Sequence, residues 1–283
     1  MSYGQGITQC GTKTINTKRL ILRRFTYEDR DSMLRNWVSD EEVQDMYGEP
    51  AYKTPEAVKG LLDKYILGYT EDCALRWAVI EKESGECIGQ AAYFLVDKNN
   101  HFAEIEYCIG RAFQGKGYAT EATLAIISYG FDEVHLHKVQ ICVRPSNIPS
   151  RKVISKCGFT YNGTLPEYFY RGGRYEDRMF FSITEEEYSE GKAHSDETVA
   201  RIEEMEKIFD RASKKIAEVG GEAEDLRSDM AKLEAYYGSA LWKEDFAKDE
   251  AGELPEDLKR GVLSEDGIYN LLESYKELYS GMP

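Results

Sequence analysis

The sequence predicts an α+β domain built around one mixed sheet, followed by a small all-α domain. Three observations carry this reading. Up to about Glu190, stretches that alternate apolar and polar residues are interleaved with stretches of helical period. Beyond Glu190 only the helical period remains. Most of the formal charge of −15 also falls in that second part, so the two parts differ in character as well as in pattern. With 283 residues, 42% of them apolar, the chain is long enough for two cores. The expected domains are 14–189 and 196–280.

The elements follow in order. "RLILRRF" (Arg19 to Phe25) alternates as a half-buried strand does. "TYEDRDSMLRNWVSDEEVQDM" reads as one helix, with Thr26 as its cap and Met33, Leu34, Trp37 and Val38 on one face. "RWAVIE" and "CIGQAAYFLV" form a hairpin across "KESGE", and "FAEIEYCIG" adds a third strand. "ATEATLAIISYGF" is an apolar helix, "KVQICVR" a strand, "IPSRKVISKCGF" a short helix closed by Gly158, and "RMFFSIT" the last strand. "EYFYRGGRYED", between that helix and that strand, reads as a loop. Past Glu190, Val199, Ile202, Met205, Ile208 or Phe209, Ala212, Ile216 and Val219 mark a helix that "GG" interrupts. Leu226, Met230, Leu233 and Tyr237 mark a second, and Ile268, Leu271, Leu272, Tyr275 and Leu278 a third. A bundle of about three helices is expected.

A pI near 4.9 argues against a surface that tracks nucleic-acid phosphates. Cys10, Cys73, Cys87, Cys108, Cys142 and Cys157 show neither CxxC spacing nor a Cys/His cluster, so they read as reduced core residues and no metal is expected. The N-terminus lacks the apolar core of a signal peptide, and no apolar run approaches the roughly 20 residues of a membrane helix. A cytoplasmic protein with no membrane partner is expected.

The stretch "RAFQGKGYATEA" (Arg111 to Ala122) places Gly115 and Gly117 between a strand and a helix. Such a turn exposes backbone N–H groups at the positive end of the helix and suits a phosphate. A nucleotide-triphosphate loop fits Gly110, Gly115 and Lys116, but Gly117 stands where a magnesium-binding Ser or Thr is required. The dinucleotide fingerprint fails at Thr120.

"QGKGYA" (Gln114 to Ala119) resembles the [RQ]-x-x-G-x-[GA] loop of the GNAT N-acetyltransferases. "TKRLILRRFTYED", "AEIEYCIGRAFQGKGYATEA", "NIPSRKVISKCGF" and "RYEDRMFF" follow in the order seen in the branch resembling ribosomal-protein N-terminal (alanine) acetyltransferases, over about Thr14 to Glu187. The resemblance implies the GNAT acyl-CoA N-acyltransferase fold, with a mostly antiparallel sheet, and acetyl-CoA as cofactor. It implies that Gln114, Gly115, Lys116, Gly117, Tyr118 and Ala119 cradle the pyrophosphate and that Asn147 and Ser150 approach the pantetheine and its sulfur. The strand Glu104 to Ile109 is expected to splay from Ile141 to Val143, and a backbone N–H around Cys108 or Ile109 to polarise the thioester.

Transfer of an acetyl group to an amine needs a proton acceptor, carbonyl polarisation and a proton for the departing thiol. Glu104 and Glu106 alternate onto one face of their strand, and either could take the proton through water. Glu167 in "LPEYFYRGG" is a further carboxylate. Many relatives use a Tyr as the acid where this chain has Ile154, which leaves Ser150 as the hydroxyl in reach. The expected activity is acetyl transfer to a primary amine, on a protein N-terminus or a small molecule, through a ternary complex. The alternative is an acyl-CoA-binding module without turnover. "YYGSALWKEDFAKDEAGELPEDLKRGVLSEDGIYNLL" (Tyr236 to Leu272) resembles a small bacterial domain family of unknown function. A homodimer or protein partner engaged through this helical part is the remaining expectation.

Overall fold

The computed structural model describes residues 7–8, 10–70, 75–218, 224–250, 252–255 and 257–279. Cys73, Val219 and the Gly220–Gly221 pair lie outside them. The chain divides into two compact units, Met1–Tyr188 and Ser189–Pro283.

The first unit holds an eight-stranded sheet: β1 (Ile15–Asn16), β2 (Leu20–Arg23), β3 (Leu75–Glu81), β4 (Cys87–Asp97), β5 (Phe102–Ile109), β6 (Lys138–Val143), β7 (Thr160–Arg171) and β8 (Arg174–Thr184), in the order β1-β2-β3-β4-β5-β6-β8-β7. All neighbours are antiparallel except β5 and β6. That parallel pair requires a crossover, which the chain makes through a helix.

The stretch from Thr26 is not one helix. Arg30–Met33 (α1) continues as a π-helical turn through Val38, and the chain then breaks. Asp40 accepts the N–H groups of Glu42 and Val43 and starts a second helix, α2 (Glu41–Tyr47). An Asp in mid-pattern was thus a new cap. The next helix, α3 (Pro55–Gly68), capped by Thr54, was not anticipated. The crossover helix α4 (Tyr118–Asp132) and the short α5 (Ile148–Lys156) stand where the apolar pattern put them. The segment expected as a loop before the last strand is the β7–β8 hairpin. Gly172 and Gly173 both take positive φ (55° and 84°), which suits a tight two-residue turn. Exposure of both faces of β7 hides it from any search for alternation.

Side chains on the two faces of the sheet build two apolar layers. Ile105, Ile109, Val139 and Ile141 pack with Ile126 and Ile127 of α4 on one face. Ala78 and Cys108 pack with Trp37 and Leu62 from the α1–α3 side on the other. Each fully buried large side chain contributes about 1.5–3 kcal/mol.

In the second unit the described helices are α6 (Glu185–Glu218), α7 (Glu224–Tyr237), α8 (Ala240–Glu250) and α9 (Glu265–Tyr279). α6 starts before the division, so the change of pattern near Glu190 falls inside a helix. The bundle has one helix more than expected. α8 escapes because its core contacts rest on Trp242 and the buried Asp245 rather than on an aliphatic stripe. Ile202, Leu233, Val262 and Ile268 are fully buried at its centre.

Candidate active site

The loop Gln114–Gly117 connects β5 to α4 by way of a short 3-10 turn. Gly115 and Gly117 hold φ of 76° and 83°, a region that side chains other than Asn and Asp rarely enter. The first turn of α4 leaves its amides without intrahelical carbonyls, and the cap at Gly117 has no side chain to answer them. The loop is braced from behind. Arg19 donates to the Lys116 carbonyl at 2.7 Å and to Glu121 at 2.7 Å, and its guanidinium lies over the Tyr118 ring. Tyr118 donates to Glu81 at 2.5 Å, and Gln114 Nε2 to the Ile109 carbonyl at 2.8 Å. Gln114 and Tyr118 therefore shape the loop, while the amide donors beside them remain for an anion. Lys116 has its ammonium over the Phe113 ring.

The second half of the site is a gap in the sheet. β5 and β6 pair only at Phe102–Lys138, Ala103–Val139 and Glu104–Gln140, and diverge beyond. The Gly110 N–H bonds the Ile88 carbonyl at 2.8 Å, which fixes the phase of the β4–β5 ladder. Alternation then turns the amides of Tyr107 and Ile109 away from β4, into the gap, and that of Cys108 toward β4. An extended amide-bearing chain lying in this gap meets free backbone groups.

α5 closes one side of the gap. Asn147 accepts the Ser150 N–H at 3.1 Å as the helix cap. Ser150 Oγ lies 2.8 Å from Tyr107 Oη. Burial pushes the Tyr107 phenol well above the ordinary tyrosine value, so it stays protonated. Ile154 is buried. In the sequence Tyr107 carries no signal of its own between the two carboxylates that flank it; strand alternation sends it to the opposite face, toward α5.

On the other face stand the carboxylates. Glu104 is buried and accepts from Gln140 Nε2 at 2.8 Å. Burial, with Glu104 beside it, pushes the Cys142 thiol up to about 12. Glu106 is held by Arg76 at 2.8 Å and by the Tyr47 hydroxyl. Arg76 also donates to Gln90 at 2.6 Å and lies over the Tyr65 ring. Burial and the Glu106 charge push the Tyr47 phenol far up. α2, which carries Tyr47, is tied again at its cap, where Arg111 meets Asp40 at 2.9 Å. Glu167 lies elsewhere, on an exposed irregularity of β7 at φ 50°, its N–H bonded to Asp177. The structure thus brings Glu104 and Glu106 to one face of the gap, and Ser150 to the other, with Asn147 capping its helix.

The profile described as an acetyltransferase (GNAT) domain matches residues 19–160, and a domain of unknown function (DUF4298) matches residues 202–282. The chain belongs to the GNAT acetyltransferase family. It is an N-acetyltransferase that uses acetyl-CoA, and the free amides of the loop and gap fit a pyrophosphate and a pantetheine arm. An uncharacterized N-acetyltransferase, p20 of Bacillus licheniformis, is 33% identical over 62% of this chain and 99% of its own. A spermidine N(1)-acetyltransferase of Vibrio cholerae is 26% identical over 55% of this chain and 87% of its own. The crystal structure of a ribosomal-protein-S5-alanine acetyltransferase from Vibrio fischeri superposes with a TM-score of 0.55 at 22% identity, over 61% of this chain and 97% of that one, a likeness of fold. Among the described residues no group of His, Cys, Asp or Glu could hold a metal ion, and no helix is long and apolar enough to cross a membrane.

Proposed function

We propose that this acetyltransferase moves the acetyl group of acetyl-CoA directly onto a primary amine, on a protein N-terminus or a small molecule, from the face of the sheet covered by α1–α3. The observation that carries the reading is the gap between β5 and β6, which has hydroxyls on one side and carboxylates on the other. The backbone amides of residues 115–119, with the Lys116 ammonium near them, hold the pyrophosphate. The outward amides of Tyr107 and Ile109 and the side-chain amide of Asn147 hold the pantetheine. When bound, acetyl-CoA supplies the activated acetyl group.

The Ile109 N–H polarises the acetyl carbonyl. Glu104 accepts the amine proton through water, because its bonded oxygen meets only the neutral Gln140 amide, whereas Glu106 is paired with the Arg76 cation and the Tyr47 hydroxyl. Glu106 then orders the acceptor face. Ser150, backed by Tyr107, gives a proton to the departing sulfur. Cys108 packs against Trp37 and Leu62 on the face that α1–α3 cover, and Glu167, on its exposed irregularity of β7, takes no part in the transfer. The Tyr107–Ser150 pair supplies the hydroxyl that Ile154 lacks, which removes the ground for a module without turnover. The helical unit engages a second copy or a protein partner.

The test is release of free CoA thiol by the full chain given acetyl-CoA and a panel of primary amines. Release that depends on an amine and falls at least tenfold in Glu104→Gln supports the reading. Release that ignores the amine, or survives Glu104→Gln, contradicts it.

A further inference from the structure

The acceptor face ends in a cluster of arginines that acetyl transfer itself does not need. Arg144 follows β6 directly, Arg171 ends β7, and Arg174 and Arg178 lie in β8. Two carboxylates meet these four cations. Asp45 of α2 receives Arg144 at 3.0 Å and Arg171 at 3.1 Å. Glu176 receives Arg144 at 3.0 Å, Arg174 at 3.3 Å and Arg178 at 3.5 Å. Of the other carboxylates, Glu106 is paired with Arg76, while Glu104 and Asp177 accept from the neutral Gln140 amide and the Glu167 N–H. Arg144 and Arg178 are only 8% and 7% exposed, and Arg171 Nη1 is buried with no acceptor among the described residues.

Guanidinium N–H groups packed away from water are costly unless acceptors meet them, and the two carboxylates that pair with the cluster leave Arg171 Nη1 unmet. Elsewhere the chain is strongly acidic, so a local excess of positive charge is selective. The placement is also specific. Gln140, the partner of Glu104, and Arg144 lie on the same face four residues apart, about 13 Å along the strand. α2 spans the interval, with Tyr47 on Glu106 and Asp45 on Arg144.

Resting on the acetyltransferase reading of this face, we infer that the acceptor is an amine that also carries an anionic group, a carboxylate or a phosphate. The arginine cluster receives the anion while the amine faces Glu104. Guanidinium forks match both groups in two-point contacts. The same cluster repels a polyamine.

The test compares matched acceptors with the full chain and acetyl-CoA: glycyl-glutamate amide against glycyl-glutamine amide, 2-aminoethyl phosphate against ethanolamine, and spermidine. The expected result is a kcat/KM at least tenfold higher for the anionic member of one pair or both, and the pair that shows it identifies the anion. Arg171→Gln should narrow that gap by raising KM for the anionic acceptor, and Arg171→Lys should restore part of it. Calorimetric titration with acetyl-CoA and a melting curve check each variant. Transfer only to neutral amines or spermidine, transfer to none of the panel, or an Arg171→Gln effect equal on both members of a pair overturns the inference. Failure of the wild type to bind acetyl-CoA overturns instead the reading beneath it.

Discussion

Removing the Tyr107 hydroxyl separates a structural from a chemical role. In Tyr107→Phe the ring stays packed and only the 2.8 Å bond to Ser150 is lost. A neutral hydroxyl pair of this kind contributes about 0.5–1.5 kcal/mol to folding, so the melting temperature should fall by no more than a few degrees. A positioned acid contributes about 10²–10⁴ in rate, or roughly 2.7–5.4 kcal/mol of barrier. The two scales do not overlap, so they can be told apart. Steady-state kinetics with any amine the enzyme acetylates should show kcat lowered about a hundredfold in Ser150→Ala and at least tenfold in Tyr107→Phe. KM for acetyl-CoA should change less than threefold in both. Because the two hydroxyls act in series, the double variant should be little worse than Ser150→Ala. Burial raises the Tyr107 pKa, so no alkaline loss of kcat should arise from this pair below the ordinary tyrosine value of about 10. A kcat within threefold of wild type in both single variants would refute the proton-delivery argument.

Other outcomes follow from the same geometry. Arg76→Leu strands Glu106 in a setting where both side chains are about three-quarters covered, at 22% and 25% exposure, and should cost about 2–3 kcal/mol in urea unfolding. Asp245→Ala in the helical unit removes a fully buried carboxylate that takes Arg201 at 2.7 Å and Tyr236 at 2.7 Å; about 3 kcal/mol should be lost from its unfolding transition. Burial raises the Glu121 pKa, but bonds from Thr17 and from the Arg19 backbone and guanidinium outweigh it, and the net shift is downward. A lowered carboxylate stabilises fully above its unfolded value near 4.3 and loses that contribution as pH falls through the folded value. Melting temperature should therefore drop more steeply below about pH 4.5 in wild type than in Glu121→Gln, and equal slopes would contradict this.

Alternation in β2 and β6 and apolar runs in β3 and β4, which are buried on both faces, made strands β2 to β6 legible. An apolar pattern did the same for the helix α4, while the two-residue β1 left no such signal. Local chemistry wrote the glycine loop too, since Gly115 and Gly117 need a backbone that other residues avoid. The break at Asp40 was hidden because Asp suits a helix N-terminus and an exposed helix face alike. The β7–β8 hairpin was hidden because Tyr168, Tyr170 and Tyr175 are exposed, at 55%, 62% and 63%, and give no apolar rhythm. In the site, alternation put Glu104 and Glu106 together correctly. Their different fates depend on Arg76 and Tyr47, 30 and 59 residues away, and no local pattern shows such partners. Tyr107 and the arginine cluster are products of tertiary packing in the same way.

The central claim is that the glycine loop and the β5–β6 gap hold acetyl-CoA. It is tested most directly by calorimetric titration of the full chain and of Gly115→Asp with acetyl-CoA. A Cβ at Gly115 would meet nothing within 4 Å, and Asp tolerates its positive φ, so the fold should survive with a melting temperature changed by a few degrees at most. The new carboxylate would stand where the pyrophosphate is expected. One-to-one binding by the wild type, weakened at least tenfold in Gly115→Asp, is the predicted result. No binding by the wild type, or equal binding by a folded Gly115→Asp, would contradict the account.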